Sequence, residues 1–233
     1  MTHSTRQPAL PTASGQPATD PLTPPGFPGR VPTGVCMVVA PPLLALLCML
    51  GTGIYHFRGH DFLAAMATHA TRTEVFLNLV PMGVFALMLA VLGLAAMAAR
   101  RSPRLAALGG IAALLGLCGP IFFIAIEFAG YQLSSSDRLA DGAYMYDQAN
   151  MVPRISLNVS GPAIILGFIA LAVAAHGAGL FGKPQAICFA LTALLPVGFI
   201  AAVLPVSAVG FAACAVALVP LGRSLLRRTP GDG

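Results

Sequence analysis

Residues 186–221 contain no charged side chain, and this one run restricts what the whole chain can fold into. As a single helix it would be about 54 Å long, against ~30 Å of bilayer hydrocarbon. A soluble globule has no way to cover such an element. A bilayer accepts it, provided every backbone N–H and C=O is bonded inside helices. Two helices joined by a tight turn near Leu204 and Pro205 divide the run into lengths that each suit the membrane.

The rest of the chain fits the same solvent. Of the 233 residues, 57% are hydrophobic and 9% charged, whereas soluble domains carry about 25% charged residues. Mean hydropathy is +0.82. Apolar stretches at about residues 35–55, 75–98, 105–131 and 155–178 each read as a span, with Pro41 and Pro42 kinking the first. With the divided run, the expectation is an all-α, polytopic transmembrane helical bundle of six spans. Five spans is the alternative count.

Residues 1–32 differ sharply. They are rich in Pro, Thr, Ser and Gly, bury nothing that could offset ordering entropy, and read as a disordered, solvated Pro-rich tail. No short apolar stretch with a small-residue cleavage site precedes the first span, so the tail does not have the form of a signal peptide. Residues 33–228 are the expected six-helix domain, and residues 229–233 a short C-terminal tail.

Placing both termini in the cytoplasm puts Arg6, Arg30, Arg100, Arg101, Arg104, Lys183, Arg223, Arg227 and Arg228 inside. Arg58, Arg72, Arg138 and Arg154 then lie outside, an asymmetry that satisfies the positive-inside rule. Asp61, Glu74, Asp137, Asp141 and Asp147 fall on the outer side, while Asp20 and Asp232 fall inside. The net charge of +5 is thus a topology signal and not a nucleic-acid footprint. The expected setting is the cell (inner or plasma) membrane, with the lipid bilayer as the one partner the composition names.

Candidate chemistry gathers on the expected outer face. His56, His60 and His69, with Glu74 and Asp61, are ligand types that Zn²⁺ or Cu²⁺ uses. His56 and His60 stand at i, i+4, but Gly59 between them weakens a continuous helix, and the spacing matches no metal signature. The commoner use of such residues is as solvated interfacial side chains. Residues 61–71 read as a short in-plane helix, with Asp61 as its cap and Phe62, Met66 and His69 on one face. Residues 143–147 read as a second interfacial helix.

Glu127 is the foremost intramembrane candidate, about 6 Å inside the expected outer end of the third span. A carboxylate among Ile124, Ile126 and Phe128 costs ~2.5–3.5 kcal/mol at mid-membrane on insertion scales. It is retained where it faces the bundle interior and carries a proton, binds a cation or pairs with Arg72, Arg154 or a histidine. Asn158 and Ser160, near the outer end of the fourth span, could line a polar pocket with it, although interhelical hydrogen bonding is the commoner role. His176 has no second histidine on its own side, which disfavours a b-type haem.

Several activities lack their signatures. Cys36, Cys48, Cys118, Cys188 and Cys214 all lie in apolar stretches without a Cys-x-x-Cys pair and read as small packing residues. The chain contains no phosphate loop, nucleophile elbow or dinucleotide fingerprint. Pro81 and Pro103 share a spacing with Pro162 and Pro184, a faint trace of a parallel repeat of the kind known in transporters.

The Pro-rich tail, six Ala/Leu/Gly-rich spans, a His-bearing first outer loop and a basic C-terminal end resemble uncharacterised six-span inner-membrane proteins of high-GC bacteria, over about residues 33–228. This resemblance is one of layout and implies no catalytic residues. The sequence therefore points first to a non-catalytic membrane accessory or interaction protein. A small-solute or proton-coupled transporter using Glu127 is the first alternative, and a metal-binding membrane protein or enzyme with an outer His/carboxylate cluster the second.

Overall fold

The computed structural model describes residues 28–54, 59–135, 138–149, 151–201 and 203–227, and among them every regular element is a helix. The long helices are α1 (Arg30–Gly51), α3 (Ala70–Ala98), α4 (Pro103–Ser135), α6 (Met151–Gly177) and α9 (Leu204–Arg227). All five are long and apolar enough to cross a membrane. Short helices α2 (Gly59–Thr68) and α5 (Leu139–Ala149) follow α1 and α4.

The stretch after α6 differs from the other spans. It comprises α7 (Lys183–Ala190), a 3₁₀ turn (Leu191–Leu194) and α8 (Leu195–Ile200). Pro196 follows directly and lacks the N–H an α-helix needs there. Ser207 of α9 donates a 3.0 Å hydrogen bond to the Leu195 carbonyl at the break, the side-chain remedy expected where water is absent. The apolar run does divide just before Leu204 and Pro205, as its length requires.

Close approaches between helices fix which ends lie together. A Cβ on Gly222 near the end of α9 would lie 2.8 Å from the Gly34 carbonyl near the start of α1, and one on Gly51 would lie 2.8 Å from Leu204. Hence α1 and α9 run antiparallel in full register. The 183–200 segment must therefore carry the chain from the Gly222 end to the Leu204 end. With the longer rise of its 3₁₀ turn it reaches about 29 Å, close to hydrocarbon thickness.

Helices α1, α3, α6, the α7–α8 segment and α9 contact one another in a closed ring, with α4 packed outside against α3 and α6. The interior is filled by large side chains. Phe168 and Phe189 are fully buried with ring centroids 5.2 Å apart, and Phe181 stacks on Phe189 at 5.4 Å. Leu44, Leu87, Leu94 and Cys214 belong to the same buried apolar cluster. The cysteines are free, consistent with a packing role.

The α4–α6 contact relies on small residues. A Cβ at Gly167 would lie 2.3 Å from the Ala113 backbone nitrogen, and one at Gly116 2.6 Å from that of Ile164. Such backbone proximity multiplies dispersion contacts, the main adhesive between helices in lipid. Outward-facing Leu108, Leu115, Phe122 and Leu166 are well over half exposed, an arrangement suited to lipid and unfavourable in water.

Helices begin or end a few residues from the expected limits. α1 starts at Arg30, inside the segment expected to be tail, because Pro32 in a first turn lacks only an N–H that would have no helical partner. The remaining tail, residues 1–27, lies outside the described residues, as do residues 228–233. Charge separates by end. Arg30, Arg100, Arg101, Arg104, Lys183, Arg223 and Arg227 flank one end, whereas Asp61, Glu74, Glu127 and Asp141 lie toward the other with Arg72 and Arg138.

Candidate functional site

The acidic end is roofed by α2 and α5. On α2, Phe62, Leu63 and Met66 are buried while His60 and Asp61 face solvent, an amphipathic pattern that holds the helix against the bundle. Gly142 of α5 lies close over α4, where a Cβ would meet the Gly130 carbonyl at 3.1 Å. A Cβ on Gly130 would in turn be 3.1 Å from Leu63. Helices α2 and α5 thus converge over the last turns of α4.

Glu127 lies beneath this roof, fully buried. It shares a face of α4 with Ile124 and Tyr131, both also buried, at the i, i+3, i+7 spacing of a core-facing stripe. The expected depth needs correction: α4 continues to Ser135, so Glu127 sits about 12 Å below the helix end and not ~6 Å. Tyr131, one turn above, donates from its hydroxyl to Oε1 of Glu74 at 3.2 Å. Glu74 is exposed on α3. A polar line therefore runs from solvent at Glu74 to Tyr131, one turn from Glu127 on α4.

Arg72 does a different job. Its guanidinium donates to the Leu50 carbonyl and, at 3.2 Å, to the Thr52 carbonyl, closing the C-terminal end of α1. The cation complements the negative end of that helix dipole. Thr73 donates to the Met66 carbonyl at 3.0 Å, which clamps the joint between α2 and α3.

The expected metal ligands are spread out. His60 lies in the first turn of α2, with Nδ1 3.8 Å from Asp61 and both side chains largely exposed. His69 sits at the α2–α3 joint, on the solvent side and not on the buried face with Phe62 and Met66. The length of α2 separates the two histidines by about 14 Å, too far to share one ion. Glu74 is engaged by Tyr131. His56 lies outside the described residues. Among the described residues no group of three His, Cys, Asp or Glu is arranged to hold a metal ion, so the sequence's Zn or Cu reading gains nothing from the geometry.

Asn158 and Ser160 do not face the same way. Ser160 is buried and Asn158 exposed, as residues two apart on a helix must be, about 200° around the axis. The α4–α6 register, set by Gly116 against Ile164 and Gly167 against Ala113, brings Ser160 level with Pro120. That is roughly 10 Å along α4 from Glu127, so Ser160 does not share a pocket with it. His176 pairs its Nδ1 with the Phe181 carbonyl at 3.0 Å and secures the turn that follows α6.

Two participants escaped the sequence reading. Tyr131 was legible as the residue one turn above Glu127, but only the fold reveals Glu74 beside it. The second is a cleft at the basic end, formed by residues far apart in the chain. No family model, no curated protein and no solved structure matches this chain.

Proposed function

We propose that the chain is a multi-pass protein of the cell (inner) membrane that crosses it six times, with both termini in the cytoplasm, and acts as a non-catalytic accessory or interaction protein. Six crossings rest on the path of residues 183–200 between opposite ends of α1 and α9. The orientation rests on the end where the described charges are all basic, which the positive-inside rule assigns to the cytoplasm. The observation that carries the accessory role is the apolar interior: Phe168, Phe181 and Phe189 are buried against one another, whereas a conducting protein needs a polar path.

One observation favours a second reading. Glu127 is a fully buried carboxylate in a spanning-length helix, and such residues commonly handle protons or cations. The polar line through Tyr131 would serve a carrier that takes a proton from the outer side. Purified protein in liposomes under an imposed pH gradient separates the two. The accessory reading expects proton leak equal to that of empty liposomes, for wild type and Glu127→Gln alike. A protein-dependent leak abolished by Glu127→Gln would overturn it in favour of proton-coupled transport.

A further inference from the structure

At the basic end, the turn after α6, the first turn of α7 and the last turns of α9 enclose a cleft of about 300 Å³, within the size range of small-molecule sites. Its wall is divided. Leu180, Pro220 and Leu221 are apolar, while Gln185 and Ser224 are polar, and Gly179 forms the rim. Gly179 has φ +75° and nothing within 4 Å of where a Cβ would be, so the turn leaves open space beside α9.

None of the lining residues is charged, but cations stand within a few residues of them on α7 and α9. Pro220, Ser224 and Arg227 stand at i, i+4 and i+7 on α9, so the stripe lining the cleft leads directly to Arg227. Arg223 precedes Ser224, and Lys183 opens α7 two residues before Gln185. All three cations are exposed. The Ser224 hydroxyl already donates to the Leu221 carbonyl at 2.6 Å, and Gln185 uses its Oε1 to accept from the Gly182 N–H at 3.0 Å. What remains for a ligand is the Gln185 amide N–H, the cations and the positive end of α7. These donors, with the Ser224 oxygen left as an acceptor, favour an anion.

We infer that this cleft binds the anionic headgroup of a membrane phospholipid. The shared chemistry is a phosphate with one exposed negative charge. The apolar half of the wall selects the lipid over free inorganic phosphate, since Leu180, Pro220 and Leu221 would cover the glycerol and first methylenes of the acyl chains. The position suits this, because the cleft sits at the ends of α6 and α9, where spanning helices meet the headgroup layer. The inference rests on the membrane-crossing reading of those two helices, but on neither an accessory nor a transport role.

Native mass spectrometry of the full chain in neutral detergent, titrated with phosphatidylglycerol or phosphatidylcholine, tests it. The expected result is a 1:1 phosphatidylglycerol adduct that phosphatidylcholine does not form. Lys183→Gln/Arg227→Gln should weaken it by roughly 25-fold, about fivefold per charge. Arg101→Gln/Arg104→Gln removes equal charge at the α3–α4 junction, whose two helices contact neither α7 nor α9, and should change affinity less than twofold. Ser224→Leu narrows the cleft without altering charge and should weaken the adduct at unchanged melting temperature. Equal weakening by both charge pairs would overturn the inference, because binding would then follow net charge. Displacement of the lipid by millimolar inorganic phosphate would overturn it too, since the site would be a simple anion site. An absent adduct in protein whose helices label as membrane-crossing would refute the inference and leave the topology intact.

Discussion

Gly167→Ala isolates the α4–α6 crossing with a single methyl group. The new Cβ would lie 2.3 Å from the Ala113 nitrogen and 2.7 Å from its Cα, ~1.1 Å inside the 3.4 Å at which ordinary contact begins. Both atoms are backbone, so no rotamer change relieves the clash, and the helices must separate or tilt. Separation weakens the neighbouring approaches at Gly116–Ile164 and Gly109–Leu171 together. Overpacking of this kind costs about 1–3 kcal/mol, partly offset by the ~0.8–1 kcal/mol helix-propensity gain of Ala over Gly. The net cost of about 0–2 kcal/mol, at 2–4 °C per kcal/mol for a chain of this size, lowers the melting temperature by between about 0 and 9 °C. Gly177→Ala is the matched control. It lies on the same helix but is exposed, with only the Ser102 Oγ near its Cβ, at 3.7 Å, so only the propensity gain applies. Thermal unfolding of both variants in one detergent measures the difference. If Gly167→Ala melts at or above Gly177→Ala, the close crossing is not a stabilising contact and the reasoning fails.

Three further outcomes follow from single side chains. Ser207→Ala leaves the Leu195 carbonyl at the helix break without its donor and should cost about 0.6–1.7 kcal/mol by chemical denaturation in detergent, with no such loss for Ser134→Ala, whose hydroxyl is only part-buried and bonds within its own turn. Arg72→Ala should cost about 1 kcal/mol, because an exposed cation is partly screened, and should raise amide exchange around residues 50–54; Arg72→Lys should recover part of the protection. Tyr131→Phe, which removes the hydroxyl bond to Glu74, should cost about 0.5–1.5 kcal/mol, and the loss should vanish in a Glu74→Ala background if that bond is its cause.

How much of this was legible in the chain depended on the range of the interaction concerned. Spans announced themselves because hydropathy is local and lipid imposes a minimum length. The break before Leu204 was legible because no single helix of that length fits a bilayer. The 3₁₀ turn was not, since Leu191–Leu194 has unremarkable composition and owes its geometry to Pro196 and to Ser207 across the hairpin. Ser160 and Asn158 were grouped by proximity along the chain, although two-residue spacing already sets them on opposite faces. Glu127 stood out as a carboxylate in an apolar stretch and is buried, yet its depth depended on where α4 ends, and Ser135 lies past the last strongly apolar residue. His60 and His69 are near each other in sequence but not in the fold. Once α2 is helical, His60 and His69 are at its two ends. The cleft by Arg227 arises from tertiary contact between α7 and α9, which no local pattern encodes.

The central claim is that residues 183–200 cross the membrane, giving six spans and a cytoplasmic basic end. Single cysteines at Gly182 and Val203, both exposed, test it in a background with the five native cysteines replaced. A membrane-impermeant maleimide is applied to intact cells of a bacterial host, then after permeabilisation. Labelling of Val203→Cys in intact cells, with Gly182→Cys reached only after permeabilisation, is the expected result. Labelling of both positions from one side would contradict the account, reducing the chain to five spans and separating its two termini across the membrane.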